Sequence, residues 1–254
     1  MAEIRHLKNA PITEAMVDFR VKLPKDFKAE QFLPLKERIK DRYPTNEEAR
    51  GFKGGIKIEK GVQISQFAES TGLQGLLFKS EDAKNIAQFR SDGFTFNRLQ
   101  PYTSWGDVFP EARKLWGSYL EIAAPEMITR IAVRYINHLR IPLPIRDLAQ
   151  YVTAPPTVPH DPSVGFDIPE HLSSFLMRMR VHEPESKIAA NITQAFEESV
   201  DPEYAIIILD IDVYLTAELA VNDQVIIPVF DQMHDMKNTI FFNSITEDTA
   251  RLFE

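Results

Sequence analysis

Thr129-Arg130-Ile131-Ala132-Val133-Arg134-Tyr135-Ile136-Asn137-His138-Leu139-Arg140-Ile141 decides the reading of this chain. Side chains of a strand alternate between two faces. One face here carries Ile131, Val133, Tyr135, Asn137, Leu139 and Ile141. The other carries Arg130, Ala132, Arg134, Ile136, His138 and Arg140. That is a long antiparallel strand with one face on a core and the other holding a row of cations. Asn137 falls on the apolar face, so its amide needs internal hydrogen-bond partners there.

Working outward, the N-terminal side alternates sheet and helix. Glu14 to Leu23 reads as a strand, and Asp26 to Tyr43 as a helix broken at Pro34. Residues from about Gly51 to Leu99 read as an antiparallel meander, with Ser91-Asp92-Gly93 as a hairpin turn. Ser104-Trp105-Gly106-Asp107 resembles a capping box and opens a helix to Ala124. Its apolar stripe holds both tryptophans, Trp105 and Trp116. On the C-terminal side, seven of the 17 prolines lie between Pro142 and Pro169. Proline fixes φ and removes a donor, so this stretch is a connector, interrupted by a short helix from about Ile145 to Tyr151. Strands follow at Ser174–His182, Lys187–Phe196 and Tyr204–Thr216. A helix from about Pro228 to Phe242 and a short one from Thr246 close the chain.

Strands in neighbouring runs with helices between the runs argue for α+β rather than a doubly wound parallel sheet. The expected architecture is predominantly antiparallel sheet in two pseudo-related halves, each with a long helix packed across one face. Residues 1–142 form the first half, 143–172 the connector and 173–254 the second half. The sheets are expected to join through Thr129–Ile141.

Composition narrows the function classes. The chain has 254 residues, no cysteine, and 37 acidic against 29 basic side chains, a formal net charge of −8. Disulfide scaffolds, thiolate metal sites and cysteine nucleophiles are excluded. Net acidity argues against general nucleic-acid binding, which needs a basic footprint. A charged N-terminus, without an apolar signal region or a spanning segment, leads to the expectation of a cytoplasmic protein. No dinucleotide loop, phosphate loop, nucleophile elbow or zinc-protease motif occurs. No cofactor is implied.

Three constellations remain. The first is an arginine-lined sheet face of Arg130, Arg134, His138, Arg140, Arg178 and Arg180, suited to carboxylate or phosphate because the guanidinium fork binds either bidentately. Its plain alternative is a solvated face on which Arg178 or Arg180 pairs with Asp210 or Asp212. The second is Asp210 and Asp212 themselves, two carboxylates on one side of a strand, from which a magnesium site for phosphodiester chemistry can begin. The third is His234, within reach of Asp231 and Asn238 on a helix. His160, His171 and His182 are evenly spaced, but eleven residues places them on no common face.

Leu7-Lys8-Asn9-Ala10-Pro11-Ile12-Thr13-Glu14-Ala15 resembles the N-A-P-I-x-E-A opening of a sporadically distributed prokaryotic family of about this length and of unknown function. The likeness continues through Asp92-Gly93-Phe94, Pro101-Tyr102-x-x-Trp105, Arg134-Tyr135-Ile136-Asn137, His234 and Phe241 to Thr246. The resemblance implies no catalytic residues. The family's patchy distribution suggests accessory genes in defence or toxin-linked loci. The motif residues also have structural readings: Asn9 ties down a turn, and Glu14 is a partner for Arg134.

The leading expectation is therefore a non-enzymatic binding module acting with a protein partner, an acidic peptide or an anionic ligand through the arginine face. The alternatives are a metal-dependent phosphodiesterase or nuclease using Asp210 and Asp212, and a small-ligand pocket between sheet and the Ser104–Ala124 helix. Free sheet edges make a homodimer a further expectation.

Overall fold

The computed structural model describes residues 1–59, 63–157, 173–197, 201 and 203–254, with the backbone alone for 52–59, 63–71 and 197. The decisive strand, β6, spans Met127–Pro142. It follows β1 (Ile12–Lys22), β2 (Thr45–Glu59), β3 (Gln63–Lys79), β4 (Asn85–Arg90) and β5 (Gly93–Leu99). After it come β7 (Ser174–His182), β8 (Ala189–Glu197) and β9 (Tyr204–Leu219). All pair antiparallel in one nine-stranded sheet of order β2-β3-β4-β5-β1-β6-β9-β8-β7. The two runs of strands join through β6, the strand expected to join them over Thr129–Ile141. β6 is hydrogen-bonded to β1 on one side and β9 on the other, so the sheet runs through without interruption.

Four α-helices accompany the sheet among the described residues: α1 (Leu35–Arg38), α2 (Trp105–Ala123), α3 (Asp223–Ser244) and α4 (Glu247–Arg251). Ser104 caps α2, its hydroxyl oxygen accepting from the Asp107 amide at 3.2 Å. The box is not reciprocal, because Asp107 Oδ2 accepts the Ser104 hydroxyl instead (2.7 Å). α3 begins earlier than proline placement suggests: Asn222 supplies the cap, and Pro228 sits in the second turn, where it removes one intrahelical bond. The helix expected over Asp26–Tyr43 is reduced to a 3-10 turn, Ala29–Phe32, and the four-residue α1. Pro34 has no N–H to bond back, and neither piece has a side-chain cap. The connector holds a 3-10 turn at Leu148–Gln150, tied to the end of α3 by Thr153 and Thr246. His160 and His171 lie outside the described residues.

One sheet face is the core side. Ala15, Val17 and Phe19 of β1, Phe94 and Phe96 of β5, Val133 and Tyr135 of β6 and Ile207 to Val213 at alternate positions of β9 are buried there. Against it α2 lays Val108, Ala112, Leu115, Trp116 and Tyr119, and α3 lays Ile226, Phe230, Met233 and Phe241. Trp116 stacks on Phe19 at 4.1 Å, and Phe230 meets the same ring at 5.1 Å. The opposite face is polar. β7 lies at the sheet edge, and Leu176 on it is 77% exposed.

Gly93 opens β5 at φ +152°, and a Cβ there would lie 1.9 Å from the Phe19 carbonyl oxygen. The obstacle is backbone of the central strand, so it cannot swing away. Gly93→Ala is expected to lower unfolding stability by about 3 kcal/mol or more, read from urea midpoints.

Candidate functional site

On the polar face the arginines meet carboxylates. Arg130 crosses the small Ala132, passes over the Tyr214 ring at 4.8 Å and reaches Asp212 at 3.0 and 3.2 Å. Its other nitrogen reaches Asp18 at 3.2 Å. Asp18 also receives Arg20 (3.2 Å), Arg90 (3.3 Å) and the Thr95 hydroxyl (2.6 Å). Arg134 grips Asp210 bidentately at 2.8 and 2.6 Å. That bond, together with the charge of Asp210, raises its guanidinium pKa against the opposing effect of burial. Glu14 does not pair with Arg134; it accepts from the Asn97 amide at 2.5 Å. His138 donates its backbone N–H to Pro11 (2.8 Å), which anchors the N-terminal segment. Arg140 lies over Tyr204 at 4.0 Å, and 3.8 Å from Asp201.

β8 lies between β7 and β9, so Arg178 and Arg180 do not reach Asp210 or Asp212 across a ladder. Arg180 donates to Asn191 at 3.0 Å, and Asn191 passes an amide bond to Asp212 at 3.1 Å. Arg178 is exposed and opposes Thr193. The six basic residues thus share one face, but the two central arginines are neutralised within it. Asp210 and Asp212 are held by those arginines. No group of three or more metal-ligating side chains occurs among the described residues.

The other concave feature was legible in the sequence only in outline. A cavity of about 370 Å³ lies where the N-terminal segment crosses the end of β6, the start of α2 and the middle of α3. Segments quoted above for the family resemblance meet here: Ala10, Pro11 and Ile12, Tyr102 and Trp105, Asn137, and His234 with Phe241. The N-terminal segment is held in place from the far end of the chain. Asn9 donates through its amide to the Glu254 carbonyl (3.1 Å) and through its backbone N–H to the Phe253 carbonyl (3.0 Å). Arg5 reaches Glu247 at 2.7 Å and Glu254 at 2.8 Å. Asn137, on the core face as its position requires, donates to the carbonyls of Leu209 (2.9 Å) and Tyr135 (3.3 Å).

Two side chains of α3 give the cavity its chemistry. His234 does not use Asp231 or Asn238. It stacks on Trp105 at 4.7 Å and 12°, and burial, reinforced by the Lys237 charge, lowers its pKa to about 4. Lys237 follows one turn later, only 6% exposed. Its ammonium lies 4.0 Å from the Tyr135 ring centre and donates to Asn238 Oδ1 at 2.5 Å. No carboxylate pairs with it among the described residues, and burial alone lowers its pKa to about 7. The Tyr102 and Tyr135 hydroxyls lie 3.4 Å apart beside it, and burial raises both pKa values. Sequence reasoning missed Lys237. The available signal was its spacing, since it occupies the stripe of Phe230, Met233 and Phe241 that α3 buries.

The lining carries five basic residues, Arg5, His6, Lys8, His234 and Lys237, and no Asp or Glu. Arg5 is already answered by Glu247 and Glu254, which leaves Lys8 and Lys237 as lining lysines without a carboxylate partner among the described residues. A second, more open groove of about 610 Å³ runs between α2 and the start of α3, beside Trp116 and Arg113. No helix among the described residues is long and apolar enough to cross a membrane.

No family model matches the chain, and no curated protein matches it.

Lys237 and the arginine face make opposite stability predictions. The folded-state pKa of Lys237 lies at about 7, against 10.5 for a free side chain. Below pH 7 both states hold the proton, and the cost of burying the cation is fully present. Between pH 7 and 10.5 the unfolded chain binds the extra proton, so wild-type stability climbs with pH. Lys237→Met is expected to be more stable than wild type by a few kcal/mol, roughly, at pH 6, with the difference closing by about pH 10 in denaturant titrations. His234 acts on the acid side: its contribution is fully present above pH 6.5 and is lost as pH falls through about 4. By contrast, Arg130→Met strips a partner from both Asp18 and Asp212. It should cost about 1–3 kcal/mol, while Arg178→Met should stay within about 0.5 kcal/mol.

Proposed function

We propose that this protein is a binding module for a small anionic ligand, seated in the cavity between the N-terminal segment and α3. The observation that carries the reading is Lys237, a buried cation at a cavity wall with no carboxylate to answer it among the described residues. Buried charges are otherwise paired. An anion bound there would complete the pair, and Lys8 at the rim would favour its approach. Trp105 and His234 both line the cavity and add aromatic surface for the rest of the ligand. The size falls within the usual range for small-molecule sites, roughly 300–1,000 Å³.

The same reading takes the chain as two pseudo-related halves. Each holds a run of consecutive antiparallel strands followed by a long helix with proline at its sixth residue (Pro110 and Pro228). The cavity then falls between the halves, where ligand sites commonly form. Residues 1–142 supply the N-terminal segment, Trp105 and Asn137, and residues 173–254 supply His234 and Lys237.

A second reading keeps the protein partner. Among the described residues β7 pairs on one side only, and it presents Arg178 and Arg180 beside exposed Leu176. An extended acidic peptide adding a strand at that edge would meet both arginines. Charge reversal of Arg178 and Arg180 would then remove its binding without touching the cavity.

The cavity reading is tested with benzoate, acetate and inorganic phosphate as probes, and benzyl alcohol as the uncharged control, followed by Trp105 fluorescence and melting temperature. A carboxylate or phosphate is expected to bind and benzyl alcohol is not. Lys237→Met should weaken binding about tenfold to a hundredfold. Affinity should fall as pH rises through about 7, because the anion favours the protonated amine. Equal response to all four probes, or an unaltered Lys237→Met variant, would overturn the reading.

A further inference from the structure

We propose that the Lys237 amine forms an imine with small oxo acids, that is, aldehydes or ketones that also carry a carboxylate. The inference rests on the anion-binding reading of the cavity and adds a covalent step to it.

A lysine amine attacks a carbonyl carbon through its nitrogen lone pair, so it must be found in a place that does not hold it as an ammonium ion. Four other lysines show the contrary arrangement. Lys22 lies 2.6 Å from Glu126, Lys36 2.8 Å from Glu48, Lys40 2.7 Å from Glu37 and Lys79 2.6 Å from Glu47. The bonds from Glu126 and Glu37 raise the pKa values of Lys22 and Lys40. Lys237 has the Asn238 carbonyl oxygen and the Tyr135 ring, and both are neutral. Its lowered pKa is what that environment produces.

The groups facing the amine also suit the chemistry. On α3 these are His234 and Asn238, and from β6 the Tyr135 ring; Tyr102, His6 and Lys8 line the same cavity. Burial keeps Tyr102 protonated, so it can donate to a carbonyl oxygen, while His6 and Lys8 would hold the carboxylate. In the step itself the nitrogen lone pair forms a C–N bond and the carbonyl π pair moves to oxygen. After proton transfer the two amine hydrogens leave with that oxygen as one water, and a C=N bond remains. Nothing is oxidised or reduced, so no further reactant is required. The cavity, about 370 Å³, leaves room for an acid of a few carbon atoms beside the amine.

The test uses glyoxylate with cyanoborohydride, which reduces an imine to a stable secondary amine, followed by mass spectrometry of the digested protein. One carboxymethyl group per chain is expected, at Lys237, about tenfold or more faster than at Lys22, Lys36 or Lys40. Glycolate, of the same size and charge but without a carbonyl, should slow labelling and raise the melting temperature. Lys237→Arg keeps the cation and Lys237→Met removes it; both should abolish the fast label. Labelling spread evenly over surface lysines while glycolate still binds would overturn the imine and leave the anion site standing. Even labelling with no effect of glycolate or glyoxylate on melting would overturn both.

Discussion

The stacking of Trp116 on Phe19, 4.1 Å apart and 7° from parallel, is the contact on which the arrangement depends. Phe19 sits at the middle of β1, between β5 and β6, and is fully buried. Phe230 of α3 meets the same ring at 5.1 Å. One side chain of the central strand therefore fixes both long helices over the same sheet face. From Phe230 the rings continue outward: Phe109 at 5.0 Å, then Trp105 on Phe109 at 4.6 Å, then His234 on Trp105 at 4.7 Å. Interiors packed to this density transmit position rather than absorb it. The cavity wall is thus the last link of the core, with Trp105 and His234 oriented by packing before any ligand arrives.

Charge is handled differently on the two sides of the sheet. On the polar face Asp18 and Asp212 answer Arg20, Arg90 and Arg130 in one connected network and Asp210 answers Arg134 beside it, which brings long side chains down onto the strands. Thr95 and Asn97 are consequently buried although they stand on the face away from α2 and α3. The network is a covering layer, and its central arginines have little charge left to offer a partner. On the core side Lys237 has no such answer. The contrast separates cations that serve the sheet from one that the packing alone does not account for.

Much of the fold was legible because period-two alternation is strong in this sequence. β6, β7 and β9 begin and end within a few residues of where alternation places them, and the apolar stripe located α2. Pro34 and Pro228 misled in opposite directions. The first dissolved an expected helix, and the second sat inside one that a cap upstream had already started. The hairpin neighbours β4–β5 and β7–β8 were legible from their turns, whereas the pairings of β1 with β5 and of β6 with β1 and β9 were not. A long strand can join two sheets or run through one, and alternation is the same in both cases. The site was hidden for a related reason. Arg130 and Arg134 stand out in one strand, whereas their aspartates lie on β1 and β9 and become partners only through topology. Lys237 read as one more charge on a helix until α3 was seen to bury the face that holds it.

That burial carries the remaining argument. A cation enclosed by aromatic and aliphatic neighbours opposes folding across the whole range in which it keeps its proton. Methionine would fill much of the same space without that cost. The Tyr135 ring and the Asn238 oxygen meet the ammonium, but both are neutral and neither brings a compensating charge. On the anion-site proposal, that charge comes from a ligand the chain does not itself supply. The cavity beside it is where that component would enter, and its acid-free lining states the sign of the charge it should bring.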